Sequence, residues 1–176
     1  LGATSGDTGS SAEHALKGLL KGEGVAAGLA AFAAQGWEMI LANGLVVLVA
    51  AGNTGPGAES VTVPGNDPYV ITVGAVDSSR TPGYWADDMM PGWSSSGPTA
   101  DGFAKPDILA PGRNVVAWMH TDYKTPGNSA MLARKHPDYS QNTAFFRMSG
   151  TSMATGVASG VAALMLQANP NLTPAL

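Results

Sequence analysis

The sequence predicts an α/β fold with a parallel central sheet and helices on both faces. Three observations lead to it. Leu45 to Ala51 is an unbroken, valine-rich apolar run, the pattern of a strand covered on both faces. A second such strand spans Tyr69 to Val76. An alanine-rich segment with a helical apolar stripe precedes the first strand, and helix followed by buried strand is the α/β order.

The elements follow in chain order. Residues 1–11 are rich in Gly, Ser and Thr and read as a loop. Leu16, Leu19 and Leu20 stand at helical spacing, so Ala12 to Lys21 is predicted as a short helix, broken by Gly22-Glu23-Gly24. A second helix runs from Ala26 to Ala42. Leu29, Phe32, Ala33, Trp37, Ile40 and Leu41 form its apolar face, and Asn43-Gly44 is its stop signal. Short strands are predicted at Asp107 to Ala110 and Val115 to Trp118. Tyr84 to Trp93 and Met119 to Arg147 lack periodicity and read as surface loops or insertions. Thr151 to Ala168 is apolar nearly all round, with Val157, Val161, Leu164, Met165 and Leu166, so this helix is expected in a core.

Composition narrows the function classes. Of 176 residues, 44% are hydrophobic and 12% charged, against about 25% charged in typical domains. That balance excludes a disordered chain. The 23 glycines and 12 prolines imply many tight turns. A net charge of −4 without a basic run argues against nucleic-acid binding. With no cysteine, a disulfide scaffold, a thiol enzyme and a cysteine-based zinc site are excluded. The longest strictly apolar run, Leu45 to Ala51, is far too short to span a membrane. Leu1 is not an initiator methionine, and the chain stops soon after its last helix. The expectation is a piece of a longer protein.

The chemistry concentrates in Met148-Ser149-Gly150-Thr151-Ser152-Met153-Ala154-Thr155. A serine at the start of a buried helix sits beside free main-chain N–H groups and a partial positive charge. Both favour the oxyanion that forms when a hydroxyl attacks a carbonyl. Thr151 or Ser152 acting only as a helix cap is the plainer alternative for an isolated serine. A second segment, Val49-Ala50-Ala51-Gly52-Asn53-Thr54-Gly55, ends a buried strand, where α/β sheets place their sites. Asn53 can offer its carboxamide to a substrate oxygen there, or be a turn residue; its spacing alone allows both.

Together these strings resemble the C-terminal part of the catalytic domain of a subtilisin-like (subtilase) serine protease. Further matching strings are Leu1-Gly2, Val63-Pro64-Gly65, Val70 to Ser79, Trp93 to Pro98 and Lys105 to Gly112. The resemblance implies one subtilisin-like domain portion over 1–176, incomplete on its N-terminal side, with a loop insertion around 119–147. It implies a serine endopeptidase, with Ser152 as nucleophile and Asn53 as the oxyanion-hole side chain. It also assigns the pocket for the side chain before the scissile bond to Gly2, to Ala50, Ala51, Gly52 and Asn53, and to Thr62, Val63, Pro64 and Gly65. These carry no charge, so large apolar side chains are expected there. Val63-Pro64 is a cis bond in the family.

Gly65, Asp67 and Val70 match a loop that holds a cation through its carbonyls in some subtilases. A surface loop with a solvated Asp67 is the simpler reading; no metal or cofactor is expected. The partners implied are a peptide or protein substrate and the missing N-terminal part of the same domain, with no nucleic acid and no membrane. Family analogy points to an extracellular, secreted protein.

The sequence also departs from the family. Gly156-Val157 stands where Pro-His is usual, and Trp93 replaces the phenylalanine of Phe-Ser-Ser. A serine hydrolase needs a histidine base and a carboxylate that orients it, in the order Asp, His, Ser for subtilisins. Asp7-Thr8-Gly9 matches the aspartate motif superficially, but it follows a Gly/Ser/Thr loop rather than an apolar strand. His14 lacks a following glycine, and His120 and His136 fall in the insertion. The catalytic Asp and His are therefore expected upstream of Leu1, and the isolated piece is expected to be inactive. Two alternatives stand beside this reading. One is a catalytically inactive subtilase-like binding or structural domain. The other is an α/β-hydrolase esterase, suggested by Gly150-Thr151-Ser152-Met153-Ala154. That fold needs an acid and a histidine after the serine, and residues 153–176 contain neither.

Overall fold

The computed structural model describes residues 44–81, 83–118, 135–140 and 145–173, together with the backbone of 2–4. Four strands form one parallel sheet: β1 (Gly2–Thr4), β2 (Val47–Ala50), β3 (Ile71–Val76) and β4 (Ile108–Pro111), in that spatial order. Leu48 pairs with Ile71, Ala50 with Val73, and Ala75 with Ala110. The valine-rich runs thus become the two inner strands, and Leu48, Val49, Val73 and Ala75 are buried. The two valines are β-branched and pack well on a pleated surface. β5 (Val115–Trp118) and β6 (Phe145–Met148) form a separate antiparallel pair, and α1 (Thr151–Ala168) follows directly.

The core lies between the sheet and α1. Leu48, Val73, Ala75 and Ala110 project from one face onto Ala154 and Ala158, flanked by Val46, Ile71, Trp93, Val157 and Ala162. Alanines on the helix and on β3 and β4 bring α1 close to the sheet, and this carries its first turn up to the loop after β2.

Several expectations change. Gly2–Thr4 is a strand, not a loop: its backbone pairs with Val47–Val49, because an extended segment of any composition can hydrogen-bond to a free sheet edge. Val115–Trp118 lies outside the parallel sheet, and it pairs with Phe145–Met148, a strand where the sequence predicts mainly the insertion. Four residues with aromatic and charged side chains show no readable period. The outer strand β4 runs from Ile108 to Pro111, shifted by one residue from the expected Asp107 to Ala110. Tyr84 to Trp93 is not featureless: Trp85–Asp87 makes a 3-10 turn, and Asp77 bridges Met89.

The helix Thr151–Ala168 has the expected bounds but is buried only through its first half, at Thr151, Ala154, Thr155 and Ala158. Val161, Leu164 and Met165 are more than half exposed. An 18-residue helix is about 27 Å long, whereas the six residues of β3 span about 20 Å, so the helix outruns the sheet. The helices predicted at Ala12 to Lys21 and Ala26 to Ala42 lie outside the described residues. The sheet's helical cover is therefore described on one face only. No described helix is long and apolar enough to cross a membrane.

Candidate functional site

A cleft of about 500 Å³ opens at the N-terminus of α1. Ser152 and Asn53 both line it, so two segments 99 residues apart in the chain meet there. The remaining wall comes from Asn114, Asp138, Tyr139 and Arg147, from the Met148–Gly150 approach to the helix and from Met153.

The orientation of Asn53 follows from its partners. The main-chain N–H of Thr151 donates to Asn53 Oδ1 at 2.9 Å, and the Thr151 hydroxyl donates to the same oxygen at 3.1 Å. A main-chain N–H can only donate, so the amide oxygen is the atom turned to the helix. Asn53 Nδ2 is left as a donor without a partner among the described residues. Thr151 Oγ1 also accepts the N–H of Gly52 at 3.1 Å. The threonine therefore pins both the main chain and the side chain of the Asn53 loop.

The helix start leaves one further donor. The N–H groups of Met153 and Ala154 both bond Gly150 O, at 3.0 and 3.2 Å, and that of Thr151 is taken by Asn53. Of the first four helical N–H groups, that of Ser152 alone has no partner among the described residues. The cleft thus offers a hydroxyl, Ser152 Oγ, and two free N–H donors, Ser152 N and Asn53 Nδ2. That set suits a nucleophile and a developing oxyanion.

Trp93-Ser94-Ser95-Ser96 buttresses the loop from behind. Gly55 N donates to Trp93 O at 3.1 Å and Ser95 N to Gly52 O at 3.0 Å. Ser95 Oγ accepts from Thr54 N at 3.2 Å, and Ser94 Oγ accepts from Ala75 N at 3.0 Å. Gly55 is required for this approach, because a Cβ there would lie 1.8 Å from Ser94 O. Gly112 is a second such point: Gly150 N donates to Gly112 O at 2.8 Å, and a Cβ at 112 would meet Ala75 Cβ at 2.7 Å. Thr151, Ser94 and Ser95, the residues that position Asn53, were not singled out for that role from the sequence. Burial of the two serines was the missing signal; both are fully enclosed.

The residues assigned by resemblance to the pocket before the scissile bond share only Asn53 with this cleft. Gly2 lies in β1, Ala50 ends β2 and Ala51 is buried behind it. Gly65 packs against that strand end, since a Cβ there would meet Ala50 O at 3.1 Å. The Thr62–Gly65 turn closes with Gly65 N donating to Thr62 O at 2.8 Å, and Val63-Pro64 is cis. Val63 itself is 76% exposed.

His136 is half-buried, its ring stacked on Tyr139 at 4.7 Å. Asp7, His14 and His120 lie outside the described residues. Among the described residues there is no group of three metal-ligating side chains.

Two carbonyls of the loop from Gly65 to Val70 accept donors from the protein itself. Val70 O accepts the Lys105 ammonium at 2.8 Å, and Gly65 O accepts the Thr72 hydroxyl at 2.6 Å. Asp67 is half-buried, and its Oδ1 accepts Tyr69 N at 2.8 Å.

The fold is a parallel α/β sheet that presents a helix N-terminus and a strand-end carboxamide to one cleft. It is the class of protein in which binding sites sit beyond the carboxyl ends of the strands. The comparisons identify the family. The model of the subtilase family matches residues 6–176, and the chain belongs to that family. It is 44% identical over 131 residues to the serine protease AprX of Bacillus subtilis, covering 74% of this chain and 28% of AprX. Among solved structures it resembles sphericase, with a TM-score of 0.56 and 25% identity, covering 78% of this chain and 39% of that one. It also resembles a cold-adapted subtilisin-like serine proteinase, with a TM-score of 0.51 and 30% identity over 78% and 37% of the two chains. The chain therefore spans 28–39% of the length of these relatives. The family sets aside the esterase alternative. So does the topology, because the strand leading into α1 is outside the parallel sheet.

Proposed function

We propose that this chain carries the nucleophile half of a serine endopeptidase site. Ser152 Oγ attacks the scissile carbonyl, forming an acyl-enzyme and releasing the amine. Asn53 Nδ2 and the Ser152 N–H hold the oxygen as it becomes negative. The base that takes the hydroxyl proton, and the carboxylate that orients it, come from a part of the same domain outside this chain. The isolated 176 residues are accordingly inactive, since these groups act as a unit with the nucleophile.

The single observation that carries this reading is the Thr151 N–H bond to Asn53 Oδ1, which leaves the amide N–H₂ as a donor in the cleft with Ser152. The substrate is a peptide or protein, with a large apolar residue preferred before the cleaved bond. Secretion is proposed from the family resemblance.

The test is labelling of the whole protein that carries this chain with a fluorophosphonate, followed by peptide mapping. The label is expected on Ser152 and is lost in Ser152→Ala. Proteolysis that persists in Ser152→Ala overturns the reading. No labelling and no proteolysis identifies a catalytically inactive domain instead.

A further inference from the structure

Lys105 is the one charged residue buried among the described residues. Its side chain is 3% exposed. Burying an ammonium is costly unless it is paired and hydrogen-bonded. Here Nζ donates to Val70 O at 2.8 Å and to Asp107 Oδ2 at 2.7 Å. Asp107 is held in turn: the same Oδ2 accepts Thr72 N at 2.7 Å, and its own N–H donates to Thr72 O. One carbonyl and one carboxylate oxygen thus converge on the ammonium. These are the hard oxygen donors that a calcium or alkali-metal ion selects.

We propose that the Lys105 ammonium is a built-in cation. It occupies the place a metal ion would take between Val70 O and Asp107, and it ties the Thr62–Val70 turn region to β3 and β4 without metal. Two positive charges cannot share these oxygens, so the lysine excludes an ion from this position. The consequence reaches the cleft region. Thr72 N bonds Asp107, Thr72 Oγ1 bonds Gly65 O, and Gly65 packs on Ala50 at the strand end beside Asn53. The wall built from Thr62 to Gly65 is therefore kept in place by a side chain of the fold. The inference concerns the loop's cohesion and does not depend on Ser152 being a nucleophile.

The experiment compares the whole protein with its Lys105→Met variant in EDTA and in millimolar calcium, sodium and potassium. It reads the Tm and amide exchange over 62–72. In the wild type, exchange over this segment is expected to be the same with and without each ion. In Lys105→Met the segment exchanges faster in EDTA. An added cation restores its protection, and the Tm rises with ion concentration as linkage requires. Lys105→Met/Asp107→Asn loses that restoration. Cation-dependent protection of 62–72 in the wild type overturns the proposal. So does a Lys105→Met variant that no cation protects. If Lys105→Met does not fold, Lys105→Arg keeps the charge and is expected to fold with the metal-independent exchange of the wild type; metal-dependent exchange in that variant also overturns it.

Discussion

Thr151 and Asn53 are bonded to each other across 98 residues of chain, through two hydrogen bonds to one amide oxygen. The main-chain N–H comes from the first turn of the helix, and the hydroxyl comes from the residue that precedes the serine. One threonine thus sets the direction of the carboxamide and, through the Gly52 N–H, the position of the loop that carries it. The electrostatic groups of the cleft are in place before any substrate arrives, which is the condition for stabilising a transition state cheaply.

Replacing Asn53 by alanine in the whole enzyme is expected to lower kcat and leave KM almost unchanged. The free amide donor interacts with the carbonyl oxygen mainly once it bears charge, so its loss falls on the transition state. The size expected is that known for such a donor in subtilisin, roughly 10²–10³ in kcat. Steady-state kinetics on a peptide with a large apolar residue before the cleaved bond measures it. A raised KM with unchanged kcat would make Asn53 a binding or turn residue.

Thr151→Val keeps the main-chain N–H and removes the hydroxyl. It leaves the part-buried Gly52 N–H without its acceptor and Asn53 Oδ1 with one donor fewer. The expected destabilisation is about 1–3 kcal/mol, read by denaturant unfolding, together with a fall in kcat. Thr151→Ser retains the hydroxyl and should recover most of both. A kcat insensitive to the valine would show that the main-chain bond suffices to aim Asn53.

Tyr139 lines the cleft from the segment preceding β6, its ring steadied by the stack on His136. Tyr139→Ala removes a wall without touching Asn53 or Ser152. KM for peptides extending past the scissile bond should rise a few-fold, with kcat nearly constant, as expected when uniform binding is lost. Equal KM values for variant and wild type would place the substrate elsewhere in the cleft.

Gly156 is a helical residue on the exposed side of α1, and a Cβ there would meet nothing within 4 Å. Gly156→Ala should stabilise the protein by roughly 0.5–1 kcal/mol, through the backbone entropy the glycine loses on folding. Thermal unfolding with activity measured alongside tests it. Lower stability would mean that the helix needs the glycine's freedom for a contact outside the described residues.

Local patterning in the sequence was enough for the α/β class, for β2 and β3 as buried inner strands and for α1 with its correct bounds. Unbroken valine-rich runs and a long apolar segment after a Gly-Thr-Ser turn leave few other structures open, because burial on both faces demands them. The pairing of Ser152 with Asn53 was also legible, through resemblance of two strings far apart in the chain. Other features depend on neighbours that no local string encodes. Gly2–Thr4 became a strand because β2 offered it an edge, and Phe145–Met148 because Val115–Trp118 lay opposite. The outer half of α1 stayed exposed because the strands beneath it end first. The roles of Thr151, Ser95 and Lys105 rest on a few hydrogen bonds, most of which join residues 35 to 99 positions apart. Such contacts leave no period in the chain, and only tertiary packing decides which hydroxyl, amide or ammonium meets which oxygen.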